Sequence, residues 1–386
     1  MTAWPALLIF IAAAAPPVEV SMLNGDQHVG TLEKLAADEA VLKTPAGSNR
    51  LAAAELLSIR VPSVTSIPAT VSMFEVLLTD STLLRVTKYQ TTTSEAMVTH
   101  PQLGDLKLPL ATIQSVRFAA PDSKVDGTWK LLLSRSSKKD QVAVRKNDVL
   151  DHLDGVIGSL DEATIKFQLD GDDIPVKRER VFGLIYAKRD NNPGKTTASI
   201  DLATGDRLAA RSVSWDGENW KVKLATGTDL TVPVTSIQYV DYTLGKIAYL
   251  SNMEPRDIKY TPFFDLSWDY RRDKCLDGRP ISFGNKSYAK GLSLHSLTVL
   301  RYRSGGDYRR FQTVMGIDEH FSGNVDVTIK GDGRVLFKGP ARTGQPPQNL
   351  DLDITGVVEL ELTVGFGEDE LDIGDRLILA DAKLVK

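Results

Sequence analysis

Toward the C-terminal end of the chain, histidine, arginine and carboxylate side chains gather at spacings that could grip a polar ligand. His295 closes the run Gly291-Leu-Ser-Leu-His, and Asp318-Glu319-His320 follows Gly316-Ile317. Such groups make charge-assisted hydrogen bonds, which are stronger than neutral ones, and loops on a rigid scaffold are where proteins usually present them. Each also has a plainer reading. His295 could equally be a satisfied histidine bracing a loop, and the Asp318 triplet a solvated turn. Arg301 and Arg303 alternate with Leu300 and Tyr302, so both arginines belong on one outer strand face, where simple solvation competes with binding. Trp268 stands at an apolar strand start and reads first as core and second as a flat platform. Glu368-Asp369-Glu370 and Asp372 could hold calcium, although they lack the every-second-position ligands of a dedicated calcium loop. Beyond that calcium no cofactor is expected.

Other chemistries find little footing. With one cysteine, Cys275, there is no internal disulfide and no thiolate cluster for zinc or iron and sulfur. No nucleophile-elbow sequence surrounds any serine, and Gly331-Asp332-Gly333 is too short a turn to cradle phosphate. The 46 basic and 50 acidic residues leave a net charge of −4, without global attraction for nucleic acid or anionic lipid. Runs such as Lys177-Arg178-Glu179-Arg180 mix signs, so nucleic acid is not an expected partner. At 386 residues, 42% apolar and 25% charged, the chain has the length and balance of a folded protein of two to four domains.

The one long apolar run, Ala6 to Ala15, would reach only about 15 Å as a helix, roughly half a bilayer core, so no membrane span is expected. Its small-residue end reads as a secretory signal over residues 1–15, although no Lys or Arg precedes it and Pro16-Pro17 follow. That reading places the protein in the periplasm, on the cell surface or outside the cell. A buried apolar N-terminus is the alternative.

Between Val18 and Tyr242 the sequence repeats itself four times, over 18–62, 74–119, 142–187 and 197–243. Each copy opens with alternating apolar residues and a polar turn, as in Val18-Glu-Val20 to Asn24-Gly25-Asp26. Each closes on apolar residues at i, i+3 and i+5: Leu56, Ile59, Val61; Ile113, Val116, Phe118; Val181, Leu184, Tyr186; Ile237, Val240, Tyr242. The closings are spaced by 57, 68 and 56 residues. The phrase suggests an apolar residue, a tight turn, then a short strand. About five strands per copy resemble, generically, small Src-homology-3 or Sm-type barrels. Units of that size bury little, so neighbouring copies should pack on each other. Ala- and Leu-rich Glu33 to Leu42 scores as helix in isolation, but the repeat register makes it strand. The extra length at Ala119 to Gln141 reads as a linker that could include a short helix.

From Tyr260 the texture changes to longer alternating strands and Gly-rich turns. Val325-Asp-Val327-Thr-Ile329, Leu350-Asp-Leu352-Asp-Ile354 and Val358-Glu-Leu360-Glu-Leu362-Thr-Val364 each offer one apolar and one wet face, the mark of an antiparallel β-sandwich. The fold class is all-β: four small barrel-like repeats followed by a sandwich. Leu266-Ser-Trp268, Asp277-Gly278, Tyr288-Ala-Lys290-Gly291-Leu-Ser-Leu-His295, Phe311, Gly316-Ile317-Asp318, Gly331-Asp332-Gly333, Thr355-Gly356-Val357 and Asp381-Ala382-Lys-Leu384 fall in order. In order and spacing, residues 260–386 resemble the NPCBM family, carbohydrate-binding modules first noted beside glycoside hydrolases of family 98.

The resemblance implies a galactose-binding-like jelly roll and recognition of galactose-type sugars, with His295 at the family's histidine position. On it, His295, Asp318, Glu319 and Arg301 become the candidate sugar contacts, meeting hydroxyls while an aromatic ring meets the C–H face. Leu379 stands where family members usually carry Trp. If that ring packs the core, Leu is a tolerable exchange; if it faces the sugar, binding is in question. Glycoside hydrolysis would need two opposed carboxylates about 5–10 Å apart in a deep site, and small barrels fill the preceding 240 or so residues, so no enzyme is expected. The reading is an exported carbohydrate-binding protein whose repeats serve as spacer or as docking platform for protein partners. The alternative is a structural scaffold whose sandwich no longer binds sugar.

Overall fold

The computed structural model describes residues 15–67, 73–135, 137–188, 192–262 and 268–386, so the signal expected over residues 1–15 falls outside the described residues except for Ala15. The chain divides into two compact units, Met1–Leu244 and Gly245–Lys386.

In the first unit the repeat register prevails over local propensity. Pro17–Met22, Gln27–Leu35, Glu39–Thr44 and Gly47–Ala52 form an antiparallel meander, and Leu56–Arg60 returns to pair with the first strand. The other repeats follow the same plan. The i, i+3 spacing of the closing phrase has a different origin from the expected turn. The turn comes earlier, at Ala53–Glu55, Leu110–Thr112 and Arg178–Arg180. Within the closing strands the pairing skips one residue each time: Leu57, Gln114, Phe182 and Gln238. That extra residue is a β-bulge, which resets the two-residue period and puts i and i+3 on one buried face.

The bulges also join the repeats. Leu57 O accepts from Tyr242 N and Gln238 O from Val61 N; Gln114 O accepts from Tyr186 N and Phe182 O from Phe118 N. The rungs between them match equivalent residues, Ile59 with Val240 and Val116 with Leu184. The first repeat therefore pairs with the fourth, and the second with the third, each about a local two-fold axis. Neighbours in sequence are not always neighbours in space: the first repeat has no strand pairing with the second among the described residues. The repeats share one continuous ladder and one apolar core, which a unit of this size needs.

The expected linker contains a 12-residue helix, Ser123–Ser134, whose first turn is capped by the Asp122 side chain accepting from Lys124 N. Val125, Trp129 and Leu132 pack on Ala143, Leu150, Phe182 and Ile185. The helix thereby covers an apolar face of the third repeat.

The second unit is a sandwich. One sheet runs Arg271–Arg272, Gly291–His295, Arg376–Val385, Arg310–Ile317 and Gln348–Asp353, with Ile247–Tyr249 also on the long last strand. The other runs Asp257–Tyr260, Thr298–Arg303, Glu359–Phe366, Asn324–Gly331 and Arg334–Arg342. Leu294, Leu300, Tyr302, Phe311, Leu362 and Leu384 fill the space between. Strand Ile247–Tyr249 lies upstream of the texture change at Tyr260, so the unit begins earlier than residue 260.

Candidate functional site

Strand register carries the connecting loops to one rim of the sandwich. His295 pairs with Arg376, Ile317 with Leu377, Val325 with Phe366 and Asn324 with Arg342. Loops 318–323, 343–347 and 367–375 therefore emerge together, each anchored by a rigid strand end.

Asp318 is the pivot of the rim. The residue is 2% exposed, and its carboxylate accepts from Arg279 Nη2 through both oxygens, at 3.1 and 2.8 Å, and from His320 N. Arg279 Nε donates to Asp277 Oδ2 at 2.7 Å, and its Nη1 lies 2.6 Å from His320 Nδ1. The same imidazole nitrogen lies 3.2 Å from Asp318 Oδ1, so it faces both the guanidinium and the carboxylate. The His320 side chain is 62% exposed, so the rim presents an imidazole held by the ion pair beneath it.

Glu319 is exposed beside it and accepts from Gly284 N at 2.6 Å. It borders a hollow of about 540 Å³ whose wall includes Phe283, Arg342, Gln345 and Pro347. Phe283 lies against Gly316, where an added Cβ would come within 2.9 Å of the ring, which explains the glycine in Gly316-Ile317-Asp318. Arg342 Nη2 pairs with Glu368 at 2.5 Å, while its buried Nε has no acceptor among the described residues. The hollow thus combines carboxylate, guanidinium and carboxamide groups with an aromatic edge. That set can meet several hydroxyls and one apolar face.

The remaining candidates lie elsewhere. His295 is buried, its ring stacked on Trp268 at 5.5 Å and 10° between planes, and burial lowers its pKa. Arg376 lies over Trp268 and Phe321, at 4.9 and 3.6 Å from the ring centroids. His295 thus stacks on a half-buried Trp268, and neither ring lines the hollow that Glu319 borders. Arg301 is not brought to the rim at all. It sits on the outer sheet face between Asp257 and Glu361, at 2.6 and 2.7 Å, because strand alternation turns it outward in mid-strand.

Leu379 is fully buried, paired with Leu292 and Met315 in the core. The exchange at this position is thus a matter of packing and leaves the rim untouched.

In the acidic loop Glu368 is paired with Arg342. Among the described residues only Cys275, Asp277 and Asp318 bring ligand atoms within 4.8 Å of one another. Arg279 already bridges those two carboxylates, and burial pushes the Cys275 thiol up to about 11, so the group is poorly disposed to a cation. Phe283, Arg342 and Gln345 were not legible as site residues. Arg279 had a local signal in the Asp277-Gly278-Arg279 turn, where a side chain two residues on can reach back to the carboxylate.

Residues 246–385 match the model of the NPCBM/NEW2 domain. A Renibacterium salmoninarum protein named "Putative endo-alpha-N-acetylgalactosaminidase" is 31% identical over 93 residues, covering 23% of this chain and 6% of that protein. The chain thus spans a small part of the relative it matches. Among solved structures, the CBM51 module of Clostridium perfringens GH95 in complex with methyl-galactose is 25% identical, covers 36% of this chain and 99% of its own, and has a TM-score of 0.32. The tandem CBM51 modules of a family 98 glycoside hydrolase from Streptococcus pneumoniae SP3-BS71 are 14% identical, with 63% and 88% covered and a TM-score of 0.32. The part of this chain that matches the NPCBM/NEW2 domain is thus its C-terminal β-sandwich.

Proposed function

We propose that the hollow walled by Phe283, Glu319, Arg342 and Gln345 binds a galactose-type sugar, and that the protein is an exported binding protein without catalytic activity. The observation that carries this reading is the convergence of an exposed carboxylate, a buried guanidinium nitrogen without an acceptor among the described residues and an aromatic edge around one hollow. The galactose preference is supported by the relative whose name refers to N-acetylgalactosamine. The reading without catalysis is supported by the carboxylates at the rim: Asp318 is held by Arg279 and Glu368 by Arg342, which leaves Glu319 without a free opposing partner among these three. The apolar run Ala6 to Ala15 supports export, and the repeats act as spacer or docking platform. With Leu379 in the core, the residue that favoured a sugarless scaffold no longer does so.

A shallow site on a rigid sandwich should bind at millimolar to micromolar levels, about −4 to −8 kcal/mol. Calorimetry of the full chain with methyl galactoside, beside Glu319→Ala and Gln345→Ala, tests the assignment. Each variant is expected to weaken binding by about tenfold, the loss of one hydrogen bond to the ligand. Equal heats from all three proteins, or none from the wild type at millimolar sugar, would refute it.

A further inference from the structure

We propose that the first repeat carries a self-association surface, in which the turn and strand edge Asn24–Val29 of one chain dock on the same residues of a second copy. The template is a contact the chain already makes between its second and fourth repeats. There Leu83 pairs with Arg207, Ala209 N donates to Thr82 Oγ1 at 2.9 Å, and Arg85 N donates to Asp206 Oδ1 at 2.5 Å. Asp80 Oδ2 adds a bond from Thr226 N, and His100 Nε2 lies 3.1 Å from Asp206, both side chains fully buried.

The contact is built from equivalent positions. The first, second and fourth repeats share one five-residue turn, in which Met22, Leu78 and Leu202 N donate to Asp26, Thr82 and Asp206 O. Gly25, Ser81 and Gly205 each hold a positive φ in it. Glu19 faces Val29 as Glu75 faces Arg85 and Ser199 faces Ala209. Thr82, Asp206 and Asp26 are therefore one position, and Arg85, Ala209 and Val29 another. Each docked repeat offers an acceptor at the first position and a backbone donor at the second, so the two repeats bind reciprocally about a two-fold axis.

The first repeat has both parts and no docked partner among the described residues. Asp26 and Gln27 are exposed and Val29 is 64% exposed, whereas Thr82, Asp206 and Ala209 are buried. The next strand joins this edge only from Thr31 onward, so the outer side of Val29 is an open strand edge. The third repeat lacks the device. It turns tightly at Asn147-Asp148, with Lys146 paired to Val149, and Asp148 is held by Lys124 of the helix. Among the described residues, one such turn therefore stands without a docked partner in each chain. Because acceptor and donor lie on the same repeat, its complement is another copy of itself, which closes a dimer and does not propagate a filament.

Sedimentation velocity of the full chain over a micromolar concentration series tests this. The wild type should move from monomer to dimer mass. Val29→Glu, which places two carboxylates beside the axis, and Asp26→Ala, which removes the acceptor, should each weaken the dimer by about tenfold or more. Val156→Glu, at another exposed valine on the third repeat, should leave it unchanged. Circular dichroism establishes that each variant is folded. A wild type that stays monomeric overturns the proposal. So does a folded Val29→Glu that dimerises as the wild type does, or a Val156→Glu that weakens the dimer equally. Sugar binding at the other unit is read separately by calorimetry and has no bearing on this outcome.

Discussion

Exchanging Asp375 for asparagine should stabilise the C-terminal unit at neutral pH and flatten its pH dependence. The carboxyl is fully buried behind the rim, and Oδ1 accepts from Asn324 N at 3.0 Å. Burial pushes its pKa from 3.8 up to about 6; the Asn324 amide and the Ser296 hydroxyl oppose the rise, while Asp369 and Asp372 add to it. An acid harder to ionise when folded than when unfolded binds more protons in the folded state across that window. Stability is therefore greatest below the unfolded value and falls as pH climbs toward 6. Two units correspond to about 3 kcal/mol. Asparagine keeps the oxygen that Asn324 N requires but puts an amide nitrogen in place of the second carboxyl oxygen in a fully buried position, costing about 1 kcal/mol. The net gain above pH 6 is then about 2 kcal/mol. Hydrogen exchange of the full chain, read on sandwich peptides such as Arg310–Ile317, should show about 30-fold greater protection for the variant at pH 7. At pH 4 the advantage should vanish or reverse. Wild type and variant with the same pH slope, after correction for intrinsic exchange, would refute the reasoning.

Gly316→Ala should destabilise the sandwich by about 1–3 kcal/mol, since the new methyl would meet the Phe283 ring at 2.9 Å and force it to shift. Because both residues wall the hollow, the variant should also bind galactoside more weakly; calorimetry showing full affinity would separate the ring from the ligand. Arg301→Ala should leave galactoside affinity unchanged, because its guanidinium is spent on Asp257 and Glu361 across an outer sheet face. A clear loss in the same titration would return Arg301 to the site.

The repeat structure could be read before any coordinates because local period encodes it: polar turns, alternating strands and the i, i+3, i+5 phrase each report neighbours in the chain. The same held for the sandwich strands, whose apolar residues at 325, 327 and 329 or 360, 362 and 364 line its core. Family motifs marked Gly316-Ile317-Asp318, whose glycine is demanded by the Phe283 ring. What period could not convey is which repeat meets which. The pairing of first with fourth and second with third depends on bulge carbonyls more than a hundred residues apart in one case, and no short-range pattern carries that choice. Nor could it rank the polar candidates. His295 and Arg301 sit on strands of similar texture, yet one stacks inward on Trp268 and the other is locked outward in ion pairs. Arg342 and Gln345 enter the hollow only because their loop emerges beside Glu319. Burial and partnership are properties of surfaces brought together by folding, so they become visible only once distant strands share a rim.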